Sequence, residues 1–467
     1  MAGNKKSSAP AKKDFFDLAG HGTNVKTEII AGITTFLAMA YILAVNPSML
    51  AATGMDQNAV FVATALSAAL ATFIMGFLAN YPVALASGMG LNAYFTYSVC
   101  LGMGLGDNAW RIALTAVLVE GLVFIVLSSF KFREKIVNGI PENLKYAITA
   151  GIGLFITLIG CKGAGIVVST GADTLVGLGN FKSATVSLAL IGLIILAVLH
   201  HFRVKGAILI SILVTWVLGI LAELGGWYVV DVEAGVFSNI PSFANYTPFP
   251  SLAPTFFQFD FGFAANHIVD FLVVVFAFLF VDLFDTVGTL VGVAAKGNLL
   301  DKDGKLPRAG RALMADAIGT VVGACLGTST VTSYVESSAG VSEGGRTGLT
   351  AIVAGVLFLI AIPLYPIFTA IQGFATAPAL IFVGLLMMSA VLKIKFEGDI
   401  ADAVGAFLAI FMMPFTYSIA NGIMFGMLAW VILKLLTGKA KDISPIMYGV
   451  GVLFVIRIVT IILGVAG

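Results

Sequence analysis

Apolar residues fall along this chain in long runs separated by short polar breaks. The runs cover about 28–48, 58–79, 84–101, 109–129, 143–160, 184–200 and 206–224, then 265–294, 310–328, 331–342, 347–365, 375–392, 400–415 and 418–437, with a last one at 443–465. Most approach the roughly 20 apolar residues that a helix needs to cross a bilayer. The pattern predicts an all-α polytopic membrane protein of about 14 transmembrane segments. The long interval at 225–264 divides them into seven plus seven. An odd number per half sets the halves in opposite orientation, so the expected architecture is an inverted repeat.

Two runs depart from a plain spanning helix. The third, YPVALASGMGLNAYFTYSV, is extended in character and glycine-rich before a helical pattern begins. The tenth, GTSTVTSYVESSAGV, is too polar and too short to span. Each is expected to hold a short β-strand. Unpaired backbone at membrane depth is tolerated only where it is buried in protein or lines a cavity. Two extended pieces from opposite halves can meet that demand by pairing with each other. The half-helices that follow would then direct their positive N-terminal ends toward the membrane midplane.

The eighth run carries the costliest residues. Asp282 and Asp285 stand inside FVDLFDTVGTL, and each Asp at a helix centre costs roughly 2.5 to 3.5 kcal/mol on insertion scales. Intramembrane acids of this kind mark ion or substrate pathways. The two lie about 60° apart around a helix, with Thr286 and Thr289 extending the polar face. Glu336 follows Thr330, Thr332 and Ser333 in the tenth run. Three carboxyls near one site cannot all carry charge cheaply in a low dielectric, so a bound proton is expected among them. A carboxylate also accepts the ring N–H and exocyclic amine groups of a nucleobase. An anion would be repelled, and a flat heterocycle with N–H donors fits best, stacked on a ring such as Tyr94 or Phe95. Asp316 in the ninth run and Glu120 in the fourth are read as structural hydrogen-bond partners, with a relay role as the alternative. Asp270 and His267 are expected to be solvated at a helix end, and Glu343 and Arg346 to belong to a turn. Asn46, beside Pro47, either lines the site or caps a break in the first helix. Gly288 is either a close-packing residue or a point where substrate nears backbone.

Composition agrees with the pattern: the 467 residues are 59% hydrophobic and 11% charged. So few charges could not cover a soluble protein of this length. Fifty-two glycines suit close helix packing and broken helices. The net charge of +1 is uninformative, but the placement of charge is not. Lys131, Arg133 and Lys135, Arg203 and Lys205, Lys296 to Arg311, Lys393 and Lys395, and Lys434 to Lys441 all follow even-numbered runs. Residues 225–265 hold no Lys or Arg. The positive-inside rule then places the N-terminus in the cytoplasm and the long interval outside. The first 27 residues are basic and polar without an apolar core, which excludes a cleavable signal peptide and suggests a cytoplasmic tail with a short amphipathic piece around Phe15, Phe16 and Leu18. The run at 443–465 either spans or lies at the interface, since Arg457 stands inside it. Three distant cysteines and four scattered histidines form neither a disulfide framework nor a metal pattern. No nucleophile or cofactor constellation suggests an enzyme, and no basic patch suggests nucleic acid.

Three stretches, GMGLNAYFTYSV (88–99), FVDLFDTVGTL (280–290) and GTSTVTSYVESSAGVSEGGRTGLTA (327–351), strongly resemble the AzgA-like branch of the nucleobase/ascorbate transporter superfamily. The resemblance covers nearly the whole chain. That branch holds purine permeases for adenine, guanine and hypoxanthine, generally proton symporters, while the related branch that includes UraA carries uracil, xanthine or urate. The resemblance implies a core domain of residues 28–130 and 265–366 moving in an elevator-like manner against a gate domain of 131–224 and 367–441. Flanking pieces are the tail at 1–27, the external loop at 225–264 and a C-terminal apolar helix at 442–467. It implies a purine held by Asp285, Glu336, Asn92, Ala93, Tyr94, Phe95, Thr289 and Val335. Proton coupling would rest on Asp285 and Glu336, with Asp282 as the competitor. Thr289 falls where uracil-type members place a histidine, which shifts more of the proton route onto the carboxyls. No cofactor beyond the proton, a homodimer and a cell-membrane location are implied as well. An uncoupled nucleobase facilitator and an anion exchanger or channel on the same fold are the alternatives.

Overall fold

The computed structural model describes residues 15–106, 108–129, 140–170, 176–231, 236–244, 246–302 and 306–462. The basic cluster at 131–135, Lys305 and the first 14 residues of the tail lie outside them. The first half begins with α1 (Val25–Met39), α2 (Ile42–Ala51) and α3 (Gln57–Ile74), then β1 (Leu85–Ser87), α4 (Met89–Ala93) and α5 (Ala109–Ser129). It continues with α6 (Glu142–Gly163), β2 (Val167–Ser169), β3 (Val176–Leu178), α7 (Ala184–His201) and α8 (Ala207–Leu224). The second half holds α9 (Gly262–Asn266), α10 (Ile268–Lys296), α11 (Ala309–Leu326), β4 (Val331–Ser333), α12 (Ser337–Ser342) and α13 (Gly348–Ala361). It closes with α14 (Tyr365–Thr369), α15 (Gly373–Met388), α16 (Ile400–Phe415), α17 (Ile419–Leu436) and α18 (Pro445–Ile462).

Among the described residues ten helices are long and apolar enough to cross a membrane, with shorter apolar helices at Ile400–Phe415 and Pro445–Val459. The chain is thus a multi-pass helical membrane protein. Asn24, Asp56, Thr347, Asp399 and Ser418 begin their helices by accepting a backbone N–H from the first turn. Phe15 and Phe16 lie in turns rather than in a helix and pack on Phe77.

The expected strand pair is present and joins the two halves. β1 and β4 run antiparallel, with Leu85 opposite Ser333, Ala86 opposite Thr332 and Ser87 opposite Val331. Each strand is followed at once by a short helix, α4 or α12. The outer edges are satisfied by the helix that precedes each strand. Thr72 of α3 donates to Leu85 O (3.1 Å) and accepts from Leu85 N–H (2.9 Å), and Thr320 of α11 donates to Val331 O (2.9 Å). The same device in both halves is the inverted repeat seen at the level of single hydroxyls. β2 and β3 form a separate antiparallel hairpin between α6 and α7.

Helices α1, α3, α5, α11 and α13 pack on one another around the strand pair, and α6, α7, α8, α15, α16 and α17 form a second packed group. The groups meet where α4 touches α6, α2 touches α15 and α1 touches α8. α10 runs between them, bordered by α5 and β4 on one side and by α17 and α18 on the other. Arg457 of α18 forms an ion pair with Asp270 of α10. Asp270 is therefore buried and paired rather than solvated.

Candidate functional site

A cavity of about 450 Å³ lies at the junction of the two groups of helices. Its polar wall comes from Tyr41, Asp285, Thr289, Ser333, Tyr334 and Glu336, with Gly88 and Gly90 at the start of α4. Facing it are Ile148, Thr149 and Ile152 of α6 and Val383, Leu386 and Met387 of α15. The cavity therefore sets carboxyls and hydroxyls opposite an almost wholly apolar surface. A ligand pocket with a few convergent polar groups has this character.

The local structure explains which acids arrive there. β4 ends at Ser333, and the turn over Tyr334 and Val335 brings Glu336 to the N-terminus of α12. Tyr41 donates its hydroxyl to Glu336 Oε1 at 2.6 Å, so one carboxylate oxygen is held by the protein. Tyr41 stands at the break between α1 and α2. Asp285 reaches the cavity from α10, and Gly288 and Thr289 line it one turn further along. A Cβ built at Gly288 would meet no atom within 4 Å, so this glycine faces open space. Val335 lines the same cavity and is half-exposed.

Asp282 takes the other direction. It is fully buried and accepts from Thr286 (3.2 Å), whose hydroxyl also lies 2.9 Å from Asp316 and 2.8 Å from Thr332. Asp316 accepts from the backbone N–H and hydroxyl of Ser333 at 3.0 and 3.1 Å, and Glu120 accepts from Thr330 at 2.8 Å. These acids thus form a second buried group behind β4, away from the cavity. Glu120 and Asp316 are hydrogen-bond partners of the strand segment, as the sequence suggested.

Four expected site residues lie elsewhere. Because β1 ends at Ser87 and the half-helix starts at Met89, the backbone bordering the cavity is Gly88 to Gly90. Asn92, Ala93, Tyr94 and Phe95 follow it by two to five residues and do not line the cavity, and all four are buried. Asn92 accepts a hydrogen bond from Ser329. Tyr94 meets Phe278 edge-on at 4.7 Å and lines a separate cavity of about 360 Å³ beside Asp270 and Arg457. Phe95 lies against Phe278 at 6.5 Å. The aromatic side chains that do border the acids, Tyr41 and Tyr334, were missed. Tyr334 directly follows β4 and shares the turn that carries Glu336, a bend that the run of polar residues does not reveal. Asn46 does not line the cavity; it donates to Thr64 (2.7 Å) and Thr328 (2.8 Å).

Residues 26–425 match a family model described as a permease family. The chain belongs to the nucleobase/ascorbate transporter family. This permease is 47% identical to the guanine/hypoxanthine permease PbuG of Bacillus subtilis, over 95% of this chain and 98% of that one. It is 43% identical to the adenine permease AdeP of Escherichia coli, over 96% and 95% of the two chains. Among solved structures, the transmembrane domain of the cyanobacterial bicarbonate transporter BicA superposes with a TM-score of 0.63 at 17% identity, covering 87% of this chain and 97% of that one. SLC26A9 gives 0.63 at 10% identity, over 88% and 66%. These structural likenesses show the fold. The chain is a transporter of the inverted-repeat class, not an enzyme.

Proposed function

We propose that this permease takes up purine nucleobases, guanine, hypoxanthine or adenine, in symport with protons. The observation that carries the reading is the pairing of Asp285 and Glu336 in one cavity whose opposite wall is apolar. A purine offers N–H donors along one edge and two flat faces. The carboxyls accept from the edge, while Ile152, Met387 and the backbone of Gly88 to Gly90 confine the plane. Tyr41 leaves Glu336 one oxygen for the ligand. The names of the relatives support this substrate class.

In this reading α1–α5 and α10–α14 with the strand pair form a core that carries the base. The second packed group, α6–α8 with α15–α17, forms the gate past which the core moves. The cavity lies between the two, where an elevator-like displacement would carry it from one membrane face to the other. A cytoplasmic N-terminus and a homodimer complete the proposal.

Uptake of radiolabelled guanine, hypoxanthine and adenine into cells or proteoliposomes tests it. Asp285→Asn and Glu336→Gln, expressed at wild-type levels, are each expected to lower uptake by two orders of magnitude or more, since each loses a charge-assisted hydrogen bond at a desolvated site. Collapse of the proton gradient is expected to abolish accumulation by the wild type. Undiminished uptake by both variants would remove the site assignment, and accumulation that survives an uncoupler would remove the symport.

A further inference from the structure

The buried acids behind β4 are not used by the substrate site. Glu120 of α5, Asp282 of α10 and Asp316 of α11 are all wholly inaccessible to solvent. Asp316 is the best provided for, with the backbone N–H and hydroxyl of Ser333 on one oxygen and Thr286 on the other. Glu120 is different. One oxygen accepts from Thr330. The other, Oε1, is buried without a hydrogen-bond donor among the described residues. The Glu120 and Asp282 carboxyls are neighbours where α5, α10 and α11 meet, around the packed side chains of Phe124, Leu283 and Ala317. Two carboxylates cannot hydrogen-bond to each other, because both are acceptors. One proton between them makes the contact attractive and removes one of the two negative charges of the buried pair.

Among the described residues, the further charged group facing Glu120 is Asp316 from α11, and Asp316 in turn faces Asp285, which neighbours Glu336 in the cavity. Arg457 of α18 is engaged with Asp270 near the far end of α10, and Lys296 closes the helix at its other end.

We propose that Glu120 and Asp282 form a proton-binding site, separate from the substrate cavity, that carries the coupling proton. This rests on the symport reading above and names where its proton resides. On loading, one proton bonds to the pair and takes it from two negative charges to one; on release it leaves as a proton and the second charge returns. Thr286 links this event to the base. It has a single hydroxyl hydrogen, within reach of Asp282 at 3.2 Å and Asp316 at 2.9 Å. When the pair is loaded, that hydrogen is free to serve Asp316, which holds the backbone N–H of Ser333 at the end of β4. When the pair is doubly charged, Asp282 competes for it. Thr286 adjoins Asp285, and Ser333 lines the cavity three residues before Glu336, so the exchange is felt at both substrate acids.

The test separates exchange from accumulation in proteoliposomes. Glu120→Gln imitates the protonated carboxyl and should fold. It is expected to lose at least tenfold in proton-driven accumulation of a labelled purine. Exchange of labelled for unlabelled purine at equal concentrations should stay within about threefold of wild type and lose its pH dependence. Asp282→Asn is expected to do the same. Full accumulation in either variant overturns the proposal, as does loss of exchange by protein with a wild-type melting temperature. Infrared difference spectra of the wild-type protein, recorded across an alkaline titration, supply a second readout. A buried protonated-carboxyl band that is absent from Glu120→Gln is expected; should neither variant fold, lack of that band in the wild type overturns the proposal. If wild-type protein carries no purine under any gradient, the symport reading fails instead, while the infrared band still reports the pair.

Discussion

Gly288 separates two explanations for a glycine inside a membrane helix. A packing glycine admits a neighbouring backbone, and Gly348 does this against Gly76, whose carbonyl oxygen would lie 2.1 Å from an added Cβ. Gly288 has nothing within 4 Å in that direction and lines the cavity. Gly288→Ala is therefore expected to leave the melting temperature unchanged or raise it, since Ala is favoured over Gly in a helix by about 1 kcal/mol. Its methyl group would occupy ligand space, raising the KM for purine about tenfold, the equivalent of about 1.4 kcal/mol. Gly288→Leu should abolish uptake in folded protein. A wild-type KM in both variants would show that substrate does not approach this face. Much at this scale was legible, because a charge at membrane depth is costly enough to stand out. Asp285 and Glu336 were singled out on that ground and line one cavity, together with Thr289 of the polar face beside Asp285. The direction of Asp282 was not legible, since a rotation of about 60° decides between cavity and strand only once the neighbours of α10 are known. Tyr41 was missed because a tyrosine near the end of an apolar run is unremarkable until its partner, 295 positions away, is in place.

At the scale of elements, the strand pair shows how six residues of extended backbone survive among helices. Each strand uses its inner edge for the other strand and its outer edge for a threonine of the preceding helix. Thr72→Val keeps the shape of the side chain but strips Leu85 of both its acceptor and its donor partner. With no water to replace them, a loss of about 1–3 kcal/mol in stability is expected. Thr320→Val removes one bond and should cost less. Melting temperatures in one detergent check the order Thr72→Val below Thr320→Val below wild type; equal values would mean the strand edges find other partners. The strands themselves were legible because their polar, glycine-rich composition cannot make a spanning helix. Their ends were not. Carrying the expected purine contacts onto residues 92–95 put Tyr94 and Phe95 against a ligand, whereas Gly88 to Gly90 border the cavity and the two rings pack on Phe278. The hairpin of β2 and β3 gave no signal, since three-residue strands are shorter than any periodicity that could identify them.

For the molecule as a whole, seven-plus-seven hydropathy and a strand from each half predicted an inverted repeat, and the crossed pairing of β1 with β4 embodies it. The proposed division into moving bodies rests on the two packed groups of helices, not on hydropathy, because lipid-facing and protein-facing helices are equally apolar. The proposed displacement has a direct check at the contact of α4 with α6. A Cβ at Gly90 would lie 2.9 Å from Ile152 Cγ2, so Gly90→Cys alone would crowd that methyl group, whereas Gly90→Cys with Ile152→Cys removes it. The two new Cβ atoms would then fall near the separation a disulfide requires. With the three native cysteines replaced, oxidation should link the core to the gate within one chain and stop purine uptake, and a reductant should restore it. Gly90 and Ile152 also border the cavity, so purine uptake by the reduced double variant is the reference against which the oxidised protein is compared. Uptake that continues at the wild-type rate with the bond fully formed would mean that the two groups of helices do not slide past each other at this contact, and the elevator reading would have to yield to local gating around a fixed site.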